Sequence, residues 1–168
     1  MRRLEEWQAA SFQQRIEYWR TLARSGRQAD AIQLMRESPD EPSTALESAD
    51  LAQLWIEIGF RDQAVRLFRK HSMAFRDAPG FWIAYARQLV EDGLWEELRR
   101  VALQMRGPSR ARDFLAALSF YFEGKAELGL QRPFSAATAF RKMSGLDFHP
   151  APLGLTVLGV VNGQFRFQ

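Results

Sequence analysis

Four glycines recur at nearly equal intervals along the chain. Gly26, Gly59, Gly93 and Gly124 each stand near the end of a helix-patterned segment, and they lie 33, 34 and 31 residues apart. An apolar, alanine-rich helical segment follows each of them. A period in the low thirties is typical of one helix-turn-helix unit, which cannot bury its apolar face alone and stacks on neighbouring units. The spacing therefore predicts an all-α fold, an α-solenoid of antiparallel helix pairs.

Between these glycines the apolar residues recur every three or four positions, the period of an amphipathic helix. The first such stripe consists of Phe12, Ile16, Trp19 and Leu22. Thr44 followed by Glu47 has the spacing of a capping box, and Asp62 is predicted to cap the next helix. No segment shows the alternation of a strand, so we expect helices throughout.

The residues around each glycine resemble the tetratricopeptide repeat, in which large and small residues precede the turn glycine and a small residue follows it by five positions. The resemblance covers about residues 12–145. Leu98 stands where the family prefers alanine, and Trp19 occupies a position that is usually small. The resemblance is carried by Trp19, Leu22, Gly26, Ala31 and Met35 in the first unit, by Leu51, Ala52, Trp55, Gly59, Ala64 and Phe68 in the second, and by Trp82, Tyr85, Ala86, Leu89 and Gly93 in the third.

The fourth unit departs from this pattern. After Gly124 the expected partner pattern comes about seven residues late, at Ala136 and Phe140. We therefore predict an insertion at 125–134, which extends the first helix, forms a turn of its own or folds over the array. Insertions of this kind are places where solenoids add binding specificity.

The chain ends with a segment that reads as the first helix of an incomplete fifth repeat, from Pro152 to Val161, followed by Asn162-Gly163. This helix carries several apolar residues, and its partner helix is missing. Residues 1–168 are therefore expected to form a single repeat domain. It is either a fragment of a longer array, or its terminal segment packs against another protein or against a second copy, with self-association through Leu158 and Val161.

The resemblance also implies a binding surface, because such arrays hold peptides or proteins in a concave groove lined by first helices. Arg20, Arg24 and Arg87 are expected to engage acidic side chains. The apolar residues of the fourth unit need cover, from the insertion with Phe134, from the terminal helix or from a partner. The groove positions are Gln13, Glu17, Arg20 and Arg24 in the first unit, Asp50, Gln53 and Glu57 in the second, Ile83, Arg87 and Glu91 in the third, and Phe114, Leu115, Leu118, Tyr121 and Phe122 in the fourth.

Composition argues against catalysis. The chain has no cysteine and two histidines, His71 and His149, neither of which has a metal-ligand spacing. No phosphate loop, nucleophile elbow or zinc motif occurs. We therefore predict a protein that is not an enzyme and needs no cofactor or metal.

Charge and hydropathy indicate where the protein is expected to reside and which classes of partner suit it. The net charge is +3, the basic residues are mostly arginine, as in bacterial-type compositions, and the signs are interspersed. No apolar run approaches the length of a bilayer span, and Met1 is not followed by an apolar leader, so cytoplasmic residence is expected. The leading hypothesis is a protein-binding scaffold or adaptor of unknown partner. An RNA-binding helical repeat and a regulatory or assembly domain of a larger multidomain protein are the alternatives.

Overall fold

The computed structural model describes residues 10–38, 40–106 and 114–145, together with the backbone at 160–161 and 164–165. These parts of the chain are almost entirely helical, which confirms the all-α prediction. No helix in them is long and apolar enough to cross a membrane. The described residues form eight helices: α1 (Phe12–Arg24), α2 (Gln28–Glu37), α3 (Ala45–Glu57), α4 (Arg61–His71), α5 (Pro79–Glu91), α6 (Trp95–Met105), α7 (Phe114–Gly129) and α8 (Pro133–Ser144).

Side-chain caps start two of the first helices. At α3 the predicted capping box forms, because the Glu47 N–H donates to Oγ1 of Thr44 while the Glu47 carboxylate accepts from the Thr44 N–H. Ser11 and Gln14 form the same arrangement at α1. The prediction for Asp62 is wrong. The cap position is Phe60, two residues before Asp62, and α4 begins at Arg61, so Asp62 lies inside the first turn of the helix.

Three predicted glycine turns share one geometry. Gly26, Gly59 and Gly93 have φ values of 83°, 88° and 67°, the left-handed region that glycine occupies without a Cβ clash. After each one, the N–H of the following residue donates to the carbonyl five residues back, at 3.0, 2.8 and 2.9 Å. This is the long hydrogen bond of a Schellman ending, and the second helix starts at once.

The fourth turn is not at Gly124. That glycine lies inside α7, and the left-handed residue is Gln131, with φ 59°. The Arg132 N–H donates to the Glu127 carbonyl at 2.8 Å, as in the other three turns. Of the predicted insertion, residues 125–129 lie in α7, 130–132 form the turn, and 133–134 begin α8.

The chain divides into two compact units, Met1–Tyr85 and Ala86–Gln168, with the boundary inside α5. In the first unit, α1 packs on α2, α3 on α4, and α1 on α3. Trp19, Trp55 and Phe68 lie in its core. The large side chain at Trp19, where the resemblance implies a small residue, is accommodated in the core with its ring edge-to-face on Phe12.

In the second unit, α7 packs on both α6 and α8. Small residues allow this close packing: the Phe140 ring lies directly against Gly124, and the Trp95 ring lies against Gly129. Leu98 and Ala136, each five residues after a left-handed turn residue, are completely buried. Gly124 is thus a packing residue between helices rather than a turn.

The structure contradicts the last two residues of the predicted terminal helix, Val160 and Val161. Val160–Val161 and Gln164–Phe165 are short antiparallel strands, with Val161 paired to Gln164. Two residues, Asn162-Gly163, separate the strands, and this dipeptide favours a two-residue hairpin connection over a helix. The rest of the predicted helix, including Leu158, lies outside the described residues.

Candidate functional site

The predicted groove residues of α1 and α3 meet on one surface. Nε2 of Gln13 donates to Oδ2 of Asp50 at 2.8 Å. At the other end of the helices, Oε2 of Glu57 lies 3.4 Å from Nε of Arg20 and 3.5 Å from Arg24. These contacts join first helices of successive hairpins. We call the surface the α1–α3 face; its residues are Gln13, Arg20, Arg24, Asp50, Gln53 and Glu57.

Charges on the α1–α3 face are unevenly compensated. Arg20 is held by two carboxylates, Glu17 and Glu57, and only 14% of its side chain is exposed. Arg24 shares Glu57 with it, yet 71% of the Arg24 side chain is exposed. Gln53 is also exposed. Arg24 and Gln53 are therefore the groups of this face that a partner reaches most easily.

The apolar groove residues predicted on α7 are mostly buried. Leu118 and Phe122 lie in the core, Tyr121 is almost completely covered, and Phe114 is half-buried. Phe134, which was expected to help cover them, is 88% exposed and so does not. These residues contribute to the stability of the second unit and leave little surface for a partner.

Shifting the fourth turn from Gly124 to Gln131 changes which residues of α7 are equivalent to the groove positions. Leu118, Tyr121 and Phe122 stay at predicted groove positions, whereas Phe114 and Leu115 do not. Lys125 gains one: it lies six residues before Gln131, as Arg87 lies six before Gly93. Sequence reasoning missed Lys125, although counting back five residues from Ala136 would have located the turn.

Arg87 and Lys125 both act on Tyr121. Nζ of Lys125 lies 6.0 Å from the centroid of the Tyr121 ring. Burial raises the pKa of the Tyr121 phenol, and the positive charge of Arg87 opposes that rise. Arg87 and Glu91 are exposed on α5. Lys125 therefore lies over the Tyr121 ring, whereas Arg87 acts on the phenol through its charge.

A buried carboxylate of the second unit was not predicted. Glu127 on α7 is 6% exposed and lies 2.7 Å from Nε of Arg99 and 3.9 Å from Arg132. Glu96 lies 3.6 Å from Arg132 and extends the network. At the equivalent place, four residues before the turn, the other hairpins have an apolar residue such as Leu89. The network joins α6, α7 and the fourth turn.

His71 is a packing residue. It is buried, and its ring stacks on Phe75 with centroids 5.6 Å apart. Nε2 lies 4.0 Å from the carboxylate of Glu41, which also pairs with Lys70. Burial lowers the pKa of His71 and Lys70 lowers it further, while Glu41 raises it. His149 lies outside the described residues.

The described residues contain no group of three or more histidine, aspartate or glutamate side chains that could hold a metal ion. Comparison of the chain with protein-family models, with curated proteins and with solved structures returns no match. The candidate site therefore rests on the geometry of the helices themselves.

Proposed function

We propose that this chain is a non-enzymatic adaptor that binds a peptide or protein segment on its first helices. The observation that carries the proposal is the α1–α3 face, where side chains of two successive first helices contact one another across the helix pair. A surface composed of the same positions from successive hairpins presents side chains at a regular spacing, which suits an extended or helical segment.

The chemistry of this face favours a polar partner. Arg24 offers a guanidinium that is largely in solvent, and Gln53 offers both an amide donor and an acceptor. A partner carboxylate can accept from Arg24 while the partner backbone pairs with Gln53. Because Glu57 already lies beside Arg24, a partner acid competes with it, which favours moderate affinity and reversible binding.

Peptide display on the purified protein, followed by affinity measurement with the selected peptides, tests the proposal. Arg24→Ala should weaken binding by about tenfold or more, since hydrogen bonds to charged groups contribute about 1.5–3 kcal/mol. Arg36→Ala is the matched control, because Arg36 is an exposed arginine on the second helix α2. Equal losses in the two variants would place binding elsewhere.

Salt dependence separates this function from RNA binding. Phosphate contacts release counterions, so an RNA complex with several such contacts loses about a hundredfold or more in affinity between about 50 and 200 mM salt. A peptide complex with one or two charged contacts should lose only a few-fold. Selective RNA binding with the steep slope, and no peptide selected, would refute the adaptor proposal.

A further inference from the structure

The two contacts that join α1 to α3 are separated by the same interval on both helices. Gln13 donates to Asp50 at 2.8 Å, and Nε of Arg20 lies 3.4 Å from the Glu57 carboxylate. Arg20 lies seven residues after Gln13 on α1, and Glu57 lies seven residues after Asp50 on α3. The two helices therefore run parallel and in register. Because a helix rises about 1.5 Å per residue, the two contacts lie about 10 Å apart along the helices.

The two ends of the α1–α3 face present opposite charges. At the end nearer the helix N-termini, Asp50 is half-buried, and the hydrogen bond from Gln13 leaves acceptor capacity on its carboxylate. At the other end, Oε2 of Glu57 is shared by the guanidinium groups of Arg20 and Arg24, at 3.4 and 3.5 Å. Of these two arginines, Arg24 has 71% of its side chain exposed. A partner therefore meets a carboxylate at one end and a guanidinium at the other.

A partner helix matches the interval between these two ends. Side chains seven residues apart on an α-helix lie on the same face, about 10 Å apart along the axis. In an extended segment, a span of about 10 Å is three residues, and the side chains at its two ends point to opposite faces. One helix with an acidic and a basic side chain seven residues apart therefore reaches both ends of the face at once.

Helix dipoles favour one direction for this partner. A carboxylate is stabilising near the N-terminus of a helix and a cation near the C-terminus. The favoured partner helix therefore has its acid first, at Arg24, and its base second, at Asp50. Since Arg24 is the last residue of α1, this partner runs antiparallel to α1 and α3. Its positive N-terminal end then lies near their negative C-terminal ends.

The middle of the face is also polar. Gln53 is exposed and lies three residues after Asp50, which places it at the height of the fourth partner residue after the acid. A glutamine or asparagine at that partner position can both donate to Gln53 and accept from it. The carboxylates of Glu17 and Glu57 on the same face would repel the phosphates of a nucleic acid, so a peptide fits it better.

We infer that the α1–α3 face binds a helical segment of a protein partner in which an acidic residue is followed seven positions later by a lysine or arginine. The acid pairs with the Arg24 guanidinium, and the base pairs with the Asp50 carboxylate. The inference rests on the proposed adaptor function and names the chemistry of the partner at the same site.

Three designed peptides test the order and the spacing of the charges. Each is an alanine- and glutamine-based helix of about 18 residues, long enough to be partly helical in water. The matched peptide has a glutamate followed seven positions later by a lysine, and the reversed peptide has the lysine first. In the shifted peptide the two residues are five positions apart and so lie on different sides of the helix. Circular dichroism checks that helical content is equal.

Affinities are measured from shifts of the backbone amides of α1 and α3 in the ¹⁵N-labelled protein, titrated at constant ionic strength. We expect the matched peptide to bind about fivefold or more tightly than the other two, because the reversed peptide brings like charges together and the shifted peptide makes one contact at a time.

Charge reversal in the protein locates the binding. Arg24→Gln should weaken binding of the matched peptide by about tenfold. Asp50→Asn should weaken it by about fivefold, and its amide oxygen still accepts from Gln13. The double variant Arg24→Glu/Asp50→Lys should prefer the reversed peptide. Arg36→Glu, at an exposed arginine of the second helix α2, is the control and should leave the preference unchanged.

Equal affinities for the matched and reversed peptides would overturn the inference, and so would a folded double variant that still prefers the matched peptide. If the double variant does not fold, unchanged affinities in both single variants would overturn it. The fate of the adaptor proposal is separable. If displayed peptides lose affinity with Arg24→Ala while the three designed peptides bind equally, only the charge pattern is refuted. If no displayed peptide is selected and the matched peptide also fails to bind, both are refuted.

Discussion

Gly124 provides the sharpest test of the packing in the second unit, because Phe140 occupies the space where a side chain would be. A Cβ added there would lie 2.4 Å from Cε1 of Phe140 and 2.5 Å from its Cζ. Unstrained carbon contacts are about 3.5–4.0 Å. Gly124→Ala therefore forces the buried Phe140 ring to move by about 1 Å or more, towards neighbours that include Tyr121, whose ring centroid is 6.4 Å away.

Two opposing terms set the size of the effect. In the middle of a helix, alanine is more favourable than glycine by about 1 kcal/mol. Overpacking a well-packed core costs about 1–3 kcal/mol, and the clash here is with a ring rather than a flexible chain end, so the upper half of that range applies. Gly124→Ala should lower the free energy of unfolding by about 1–2 kcal/mol.

Urea unfolding followed by circular dichroism measures this change. The variant should unfold at a lower midpoint urea concentration, and the dependence of its unfolding free energy on urea, the slope m, should be unchanged. Gly145→Ala is the control in the same unit, because its Cβ would meet only the Lys142 and Arg141 carbonyls at 3.6 and 3.7 Å. It should change stability by less than about 0.5 kcal/mol. Phe140→Leu should reduce the cost of Gly124→Ala in a double-mutant cycle. A Gly124→Ala variant at least as stable as the wild type would refute the packing of α7 on α8.

Variants at three further positions test the fourth turn and the buried charges. Gln131→Gly should stabilise the protein by about 0.5–1 kcal/mol in thermal unfolding. A non-glycine residue in the left-handed region costs about 1–2 kcal/mol, and the greater backbone entropy of glycine in the unfolded chain offsets part of the stabilisation gained by removing that cost. A destabilised variant would contradict a left-handed Gln131. His71 has a lowered pKa in the folded protein, so below about pH 6.5 the unfolded chain binds the proton more readily and stability falls as the pH drops. His71→Gln should flatten the decline between about pH 7 and pH 5 in denaturant titrations, and an unchanged decline would exclude His71 as its source. Glu127→Ala should lower the free energy of unfolding by about 2–3 kcal/mol, because it leaves a cavity beside two half-exposed arginines. Glu127→Leu should change it by no more than about 1 kcal/mol. Equal losses of stability in the two variants would show that the ion pairs, rather than packing, hold this position.

The helices and three of the turns could be predicted because their signals are local. Apolar residues at helical spacing, the Thr44 cap and the glycines at 26, 59 and 93 each specify their own structure within a few residues. Their side chains then meet in the core as the period requires.

The fourth turn could not be predicted by the same means. Glutamine carries no preference for left-handed backbone, so Gln131 gives no turn signal, whereas Gly124 gives a false one. Gly124 is glycine because Phe140 packs on it, which is a contact between residues distant in sequence. The error shifted the groove positions on α7 and concealed Lys125.

The end of the chain was mistaken for a different reason. Val160 and Val161 were assigned to a helix by continuing the repeat period, although β-branched residues followed by Asn-Gly favour a hairpin. Self-association through Leu158 and Val161 stays a prediction. Glutamate at either position should reduce association in analytical ultracentrifugation, and a strictly monomeric wild-type chain would contradict it.

Photo-crosslinking with a displayed peptide tests the adaptor proposal most directly. A photoreactive amino acid is placed at Gln53 on the α1–α3 face, or at Gln33, an exposed glutamine of the second helix α2. The proposal predicts a covalent product with the peptide from position 53 and none from position 33. A product from position 33 alone, with binding intact in both proteins, would show that the partner does not bind the first helices.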